Sequence, residues 1–328
     1  MTDGRVLAHD WRVWLADNLA HGVAADELVS TLAEHGVDGD EARARIAAIE
    51  RSPGSTIARA AVLRAERAEL ALRLTRTRAA IDRVLRRTNP DADALFAGPW
   101  ASGTPVVFTD LVTRWPAFGR WTPSFFRERY ADVEIEASTG RESDPRYDIR
   151  FAKHAERMCL STFVDRVLAR PHSNDTYLIA NNHNLARPEL APLFADIVQP
   201  DYLDPARVVG SSALWFGPAG TITPLHHDTS NILLCQVLGT KRVFLVDPTE
   251  PELLARAHGV YCELDVAGVR AELPDVRVLE VELAAGEALF LPLGWWHEIH
   301  ALEVSITVAL NNFRRPNHHE WYKPGALV

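Results

Sequence analysis

The sequence predicts a mainly β protein, built as an antiparallel double sheet or barrel, with an α-helical region at its N-terminus. From Val208 onward, short apolar or alternating runs are separated by Gly, Pro and Asp, which is typical of many short strands joined by turns. Residues 8–87 instead repeat apolar side chains at helical spacing. Because Asn89-Pro90 marks a turn between these patterns, we divide the chain into a helical region, 1–90, and a main domain, 91–328.

The helical region begins with three short helices. Apolar residues at helical spacing form one face of the first helix: Trp11, Trp14, Leu15 and Leu19. Asp26 is placed to cap the second helix, which Gly36 ends. The third runs from Asp38 to Ile49.

A longer helical pattern, free of Pro and Gly, extends from Ser55 to Arg87. Its apolar residues approximate a heptad seam: Leu63, Leu70, Leu74, Ile81 and Val84. Nine arginines against three acids give this segment a charge of +6, which fits a solvated helix face or an acidic partner. A helical hairpin or a homodimer contact is the structural use that we favour.

The main domain begins with mixed elements and continues as strands. Cys159 to Leu168 reads as a helix and Asp175 to Asn181 as a strand. The later strand patterns are SSALWFG, ITPLHHD, NILLCQVLG, KRVFLVD, VRVLEVEL, EALFLPL, HEIHAL and VSITVALNNF.

Composition excludes several classes of protein. The net charge is -9, and residues 1–90 hold 14 Arg and 13 Asp or Glu, which leaves -10 for residues 91–328 and disfavours nucleic-acid binding. No window approaches the roughly 18 consecutive apolar residues of a membrane span. Three cysteines in no CxxC pair argue for buried thiols and a reducing cytoplasm: Cys159, Cys235 and Cys262.

Three residues form a candidate metal site. His226 and Asp228 are separated by one residue, so on an extended strand both side chains point to the same face. His297 follows a Pro-Leu-Gly turn and two tryptophans. Two imidazoles and one carboxylate form the facial triad that holds iron in non-haem Fe(II) oxygenases. By the same alternation, we expect His227 to point away, toward a second layer or the surface.

The order and spacing of the surrounding residues resemble a known family. TPLHHD, followed by Asn231, GTKRVF and LPLGWWH, resembles the jumonji-C, or cupin-like, branch of the Fe(II)- and 2-oxoglutarate-dependent oxygenases, most of all the asparaginyl hydroxylase of hypoxia-inducible factor. The resemblance covers roughly residues 97–313. It implies a double-stranded β-helix, or jelly roll, whose iron ligands are His226, Asp228 and His297.

The resemblance also implies a co-substrate site. Lys241, on the strand adjoining that of His226, matches the cation that pairs with the distal carboxylate of 2-oxoglutarate, where an unpaired buried charge would be costly. Thr223 and Tyr177 match hydroxyl donors to that carboxylate, although an ordinary strand tyrosine is an equal alternative for Tyr177. Asn231 matches a polar residue near the metal.

One position departs from the family pattern. Where relatives often carry asparagine on the last strand, this chain has Ala309. Asn311 lies two residues on, hence on the same strand face, and is the candidate replacement.

The function that the resemblance implies is oxygenation that uses Fe(II), 2-oxoglutarate and O2. The expected substrate is a C–H bond, most of all a β-carbon, of an amino-acid side chain in a peptide or protein, with a ribosomal natural-product precursor as one option. Two alternatives remain open: a metal-dependent cupin that acts as an isomerase or lyase without oxygen, and a non-catalytic jumonji-like binding protein.

Overall fold

The computed structural model describes residues 9–323, apart from the side chains of His9 and residues 76–79. The chain divides into two compact units, Met1–Arg78 and Ala79–Val328. The division of functions between residues 1–90 and 91–328 stays a prediction. Among the described residues, no helix has both the length and the apolar character that crossing a membrane requires.

The part of the first unit that the structure describes contains the helices α1 (His9–Ala20), α2 (Ala25–Glu34), α3 (Gly39–Glu50) and α4 (Pro53–Ala79), the last ending one residue into the second unit. The buried residues of α1–α3 include Leu15, Leu28 and Leu32. The Asp38 carboxylate caps α3 by accepting hydrogen bonds from the backbone at positions 40 and 41. The predicted cap at Asp26 is wrong, because this residue lies inside the first turn of α2.

The long helix is shorter than predicted. It ends at Ala79 rather than Arg87, since Ile81 and Val84 pack against the core between the two sheets of the second unit. Leu85–Arg87 is a strand, β1. Sheet pairing of residues 85–87 and partial burial of Ile81 and Val84 therefore override the helical pattern.

The second unit is rich in strands. After β1 come β2 (Val106–Phe108), β3 (Glu134–Ser138), β4 (Ala155–Cys159), β5 (Ser212–Gly217), β6 (Ile222–His226), β7 (Ile232–Leu238), β8 (Lys241–Val246), β9 (Ala257–His258), β10 (Tyr261–Cys262), β11 (Leu279–Leu283), β12 (Ala288–Leu291), β13 (Trp296–Ala301) and β14 (Ser305–Leu310). Its helices are α5 (Ala92–Ala97), α6 (Pro99–Ser102), α7 (Pro123–Arg129), α8 (Leu160–Ala169), α9 (Pro251–Ala255) and α10 (Val266–Glu272).

These strands form two six-stranded sheets and a separate β3–β4 ribbon. The first sheet has the order β1-β2-β12-β7-β14-β5, and the second has the order β11-β8-β13-β6-β10-β9. Neighbouring strands are antiparallel except β1 and β2. The predicted mainly β jelly roll with N-terminal helices is confirmed.

Apolar side chains alternate between a core inside the double sheet and layers outside it. The inner core joins the first sheet, through residues such as Leu289, to the second, through residues such as Val281. The outer face of the first sheet packs against helical segments that include α8, while the outer face of the second packs against α9 and α10.

Three sequence-based details are wrong. Residues 175–181 are not a strand: Tyr177 and Leu178 form isolated bridges, to Ser138 and to Phe216, and a 3-10 helix begins at Ala180. The strand of Lys241, β8, adjoins β13 and β11 rather than β6, since the intervening β7 crosses to the other sheet. Of the three cysteines predicted to be buried, Cys235 is buried, Cys262 is half-buried and Cys159 is exposed.

Candidate functional site

A β-bulge in β6 shapes the site. His226 pairs with His297 of β13 and Thr223 pairs with Ile299, so two residues of β6, Pro224 and Leu225, oppose one residue of β13. In a regular strand, residues three apart point to opposite faces. The extra residue turns both Thr223 and His226 toward the same cavity.

The bulge and its neighbouring strand bring the three predicted ligands together. His226 Nε2 lies 3.9 Å from Asp228 Oδ1, and His297 Nε2 lies 3.5 Å from Asp228 Oδ2. One ligand atom from each residue lies within 4.8 Å of the others. This cluster of nitrogen and oxygen donors on one side of a cavity has the composition of a facial triad.

Hydrogen bonds fix the tautomer of both imidazoles. His226 Nδ1 donates to the Pro224 carbonyl at 2.8 Å, and His297 Nδ1 donates to the Trp295 carbonyl at 2.9 Å. Because a carbonyl oxygen only accepts, Nδ1 carries the proton and Nε2 keeps its lone pair for a metal. The residues present therefore fit a divalent cation.

The pKa values of the buried ligands His297 and Asp228 are also shifted. Burial, then the nearby His226, lowers the pKa of the His297 imidazole well below its usual range, so this ligand is neutral at physiological pH. Burial raises the pKa of the Asp228 carboxyl, and a divalent cation would oppose that shift by favouring the charged form.

His227 lies behind the metal ligands. It is fully buried, with its ring 4.7 Å from that of Trp296 and 5.2 Å from that of Tyr322. Burial lowers its pKa to about 4. Of the two predicted locations, the second layer is therefore the observed one.

A cavity of about 370 Å³ extends from the triad between the two sheets. Lys241 and Thr223 line it, together with apolar residues such as Val243 and Ile299. His297 pairs with Leu245, which lies four residues along β8 from Lys241. At the usual rise per residue of a strand, the Lys241 backbone is therefore about 13 Å along the strand from the level of His297.

Lys241 is a buried cation without an acidic partner. It is 4% exposed, and its Nζ donates to Tyr177 Oη at 2.9 Å. No carboxylate among the described residues pairs with it. Because an unpaired buried ammonium is costly, this end of the cavity is suited to an anion. Tyr177 itself is 1% exposed and does not line the cavity, so its hydroxyl group contacts Lys241 rather than the cavity.

The two predicted asparagines lie in different places. Asn231 does not line the cavity; its Oδ1 accepts from the backbone of Leu293, and its Nδ2 donates to Asn317. It thereby braces the loop that leads into β13. Asn311 lines the cavity, as does Ala309 on the same strand face.

Further lining residues escape sequence reasoning. Asp148 and Tyr261 both line the cavity beside the triad. Tyr261 pairs with His226 across the sheet, and their ring centroids lie 5.8 Å apart. Asp148 belongs to a segment without helical or strand periodicity, so no sequence signal could have selected it. Tyr261 lies in a strand of two residues, too short for a periodic pattern.

Comparison with protein families agrees with this geometry. A model of the cupin-like domain matches residues 92–319, which is more than half of the chain. The chain belongs to the cupin-like family. Membership confirms the resemblance to the jumonji-C branch of the Fe(II)- and 2-oxoglutarate-dependent oxygenases, and the predicted cofactor set of Fe(II), 2-oxoglutarate and O2 is that of the family. The nearer likeness to an asparaginyl hydroxylase stays a prediction.

Several curated proteins are similar to this chain over part of its length. Lysine-specific demethylase JMJ30 of Arabidopsis thaliana is 31% identical over 245 residues, covering 69% of this chain and 54% of that protein. Lysine-specific demethylase 8 of Xenopus tropicalis is 27% identical over 62% of this chain and 47% of its own length. Jumonji C domain-containing protein 5 of Drosophila melanogaster is 28% identical, with 63% and 54% covered. The chain thus spans about half the length of these relatives.

Proposed function

We propose that the protein is an Fe(II)- and 2-oxoglutarate-dependent dioxygenase that hydroxylates a C–H bond of an amino-acid side chain, most of all a β-carbon, in a peptide or protein. One observation carries this proposal: the triad and the unpaired Lys241 cation line the same cavity. A cupin that works without oxygen has no need of a buried lysine at that distance from its metal.

Each residue has a role that follows from its position. The triad, His226, Asp228 and His297, holds the metal, with both Nε2 atoms available as ligands. Lys241 and Thr223 bind the distal carboxylate of 2-oxoglutarate. When bound, iron, 2-oxoglutarate and O2 supply the oxidising power for hydroxylation, with succinate and carbon dioxide as the other products. Tyr177 orients the lysine through its hydroxyl group.

The cavity wall also keeps the reaction away from bulk water. Between the triad and Lys241 the lining includes the apolar side chains of Leu234, Val243 and Ile299. A low-dielectric wall strengthens the attraction between Lys241 and a carboxylate. It also limits the access of competing water to the metal.

The substrate class rests on the relatives. Two of them are named lysine-specific demethylases, and these names imply action on an amino-acid side chain. We extend that class of substrate, a side chain in a peptide or protein, to this chain, with a ribosomal natural-product precursor as a specific case. We further propose that the protein works in the cytoplasm and forms homodimers through its helical region.

The test is a comparison of purified wild-type protein with His297→Ala. Each is incubated with Fe(II), ascorbate, 2-oxoglutarate and a peptide mixture, and succinate and peptide mass are measured. We expect the wild type to form succinate and to add one oxygen atom to a peptide, and His297→Ala to do neither. His318→Ala is the matched control, because this histidine side chain is 80% exposed. Equal succinate from wild type and His297→Ala would reject the proposal.

A further inference from the structure

The fold holds the three proposed metal ligands in two different ways. His226 lies in β6 and His297 lies in β13, so strand pairing fixes the backbone of both residues. Because β6 ends at His226 and β7 begins at Ile232, Asp228 lies in the loop between these strands. The sheet therefore places the two imidazoles, and contacts outside the sheet have to place the carboxylate.

The β6–β7 loop, residues 227–231, is joined to the loop that leads into β13. The Gly294 N–H donates to the Asp228 carbonyl at 3.1 Å, and the Leu293 N–H donates to Asn231 Oδ1 at 3.0 Å. These hydrogen bonds hold the loop backbone and the Asn231 side chain, while the Asp228 carboxylate faces the cavity. The loop that carries one ligand is thus tied to the loop that precedes another.

A segment that follows β14 contacts the same loop, and we call its residues 317–322 the strap. The Asn317 side chain uses all four hydrogen-bonding positions of its carboxamide group. Its Oδ1 accepts from the backbone N–H and from Nδ2 of Asn231, each at 2.8 Å. Its Nδ2 donates to the carbonyls of Asn231 and Asn311, each at 2.9 Å. Three of these four bonds therefore go to the last residue of the β6–β7 loop.

Two other strap residues contact these loops. The His319 N–H donates to the Thr229 carbonyl at 3.0 Å. The Tyr322 ring lies so close to Gly294 that a Cβ on this glycine would be 2.7 Å from the ring carbon Cε1. The Tyr322 hydroxyl donates to the Pro248 carbonyl at 3.1 Å, which anchors the ring. The strap therefore contacts both the β6–β7 loop and the loop that leads into β13.

The strap can influence a bound metal only through these loops. No strap residue lines the cavity, and the structure describes the strap in full. Each residue of a loop has two soft backbone dihedrals, so a carboxylate two residues beyond the end of a strand can vary in position. Fixing that loop before the metal arrives reduces the entropy that binding costs, and so raises the affinity.

We propose that the strap positions the Asp228 carboxylate for metal binding, with Asn317 as the main positioning residue. This rests on the metal site of the proposed function, and it requires neither the co-substrate nor a substrate. Without the Asn317 contacts, both imidazoles stay in their strands while the β6–β7 loop moves more freely. Residues that support a metal ligand from behind typically contribute about 10- to 100-fold to metal affinity, and we expect Asn317→Ala to raise the metal Kd by that factor.

The test is a double-mutant cycle with Ni(II) as the probe. Ni(II) binds nitrogen ligands more tightly than Fe(II) or Mn(II), so its binding can still be measured after the carboxylate is lost. Wild type, Asn317→Ala, Asp228→Ala and the double variant are each titrated calorimetrically. We expect Asn317→Ala to raise the Kd by at least about tenfold in the wild-type background and by less than about twofold in the Asp228→Ala background. Equal effects in the two backgrounds, or no effect in the first, would overturn the proposal.

A role in stability alone predicts a different result. Asn317→Ala loses four hydrogen bonds, so its melting temperature should fall. The titrations are therefore made well below the melting temperature of each variant, where lower stability by itself leaves the Kd unchanged. His318→Ala is the matched control within the strap, because its side chain is 80% exposed, and it should change neither quantity. If Asn317→Ala does not fold, Tyr322→Leu replaces it in the cycle with the same expected pattern.

Hydrogen exchange provides a readout without any metal. The Asn231 N–H donates to Asn317 Oδ1, so this amide should exchange about tenfold faster in metal-free Asn317→Ala than in the wild type. Mass spectrometry of fragments that cover residues 227–231 measures the rate, and fragments from β13 should show no change. Equal exchange of the loop in wild type and variant would contradict the positioning role.

The outcomes also distinguish this proposal from the dioxygenase. Wild-type protein that fails to bind Ni(II) would reject the metal site and both proposals with it. Normal Ni(II) binding without succinate formation from Fe(II)-loaded protein would reject the dioxygenase, and the double-mutant cycle would still decide on the strap. Succinate formation with equal effects of Asn317→Ala in the two backgrounds would overturn the strap alone.

Discussion

Lys241 allows the co-substrate assignment to be tested on its own. Lys241→Met keeps most of the side-chain length and removes the charge. In the free protein the change loses the hydrogen bond to Tyr177 but also removes a buried ammonium without an acidic partner. These effects have opposite signs, so we expect the free energy of unfolding to change by less than about 1 kcal/mol.

Binding of 2-oxoglutarate should respond much more strongly to Lys241→Met. The distal carboxylate would be buried without its cation, which costs about 2–5 kcal/mol, or on the order of 30- to 4000-fold in Kd. Calorimetric titration of 2-oxoglutarate into anaerobic, Mn(II)-loaded protein measures this directly. Mn(II) affinity without 2-oxoglutarate should stay the same, because Lys241 is remote from the triad.

The matched control is Lys153→Met, a change of the same chemistry at an exposed lysine. It should leave the Kd for 2-oxoglutarate unchanged. If Lys241→Met binds 2-oxoglutarate within threefold of the wild type, the cation is not the partner of that carboxylate and the reasoning fails.

Three further predictions concern stability. The pKa of buried His227 is lowered from 6.5 to about 4, so the unfolded state binds more protons than the folded state as pH falls between these values. The free energy of unfolding of the metal-free protein should therefore fall by up to about 3 kcal/mol over this pH range. Denaturation at several pH values measures this loss, which His227→Gln should reduce and His318→Gln should not. Asn231→Ala should cost about 1–3 kcal/mol and weaken metal binding, because the loop leading into β13 loses its acceptor; urea denaturation and Mn(II) titration check this, and unchanged values would contradict it. Gly239 has φ +71°, and a Cβ there would lie 2.3 Å from a backbone oxygen, so Gly239→Ala should cost at least about 2 kcal/mol. At Gly103, with φ +61° and open space, alanine should cost only about 1 kcal/mol, and equal losses at the two sites would refute the steric argument.

The sequence predicts the fold class well because alternation and turn residues recur throughout residues 208–313. It fails where packing decides between local states. Ile81 and Val84 fit a helical seam, yet they pack against the core between the sheets. Tyr177 lies in an apolar run typical of a strand, yet this run forms only two isolated bridges, from Tyr177 to Ser138 and from Leu178 to Phe216. Periodicity records which side chains are apolar and not which neighbours they meet.

The residues of the site are likewise only partly predictable from the sequence. His226 and Asp228 are predictable because metal ligands need particular residue types at short spacing. Thr223 is three residues from His226, so regular alternation would place it on the other face, and only the bulge brings both to the cavity. The buried Arg141 donates a hydrogen bond to the carbonyl of Ile222, 81 residues further along the chain, and a single sequence does not reveal such a contact.

The bulge has a consequence for changes in chain length. Deletion of one residue between Thr223 and His226 would restore regular alternation and move one of these side chains out of the cavity. The metal ligand and the hydroxyl proposed for the co-substrate would then separate, although every functional residue type was still present. In this short stretch the number of residues is therefore as constrained as their identity, and a library of insertions and deletions would find little tolerance there.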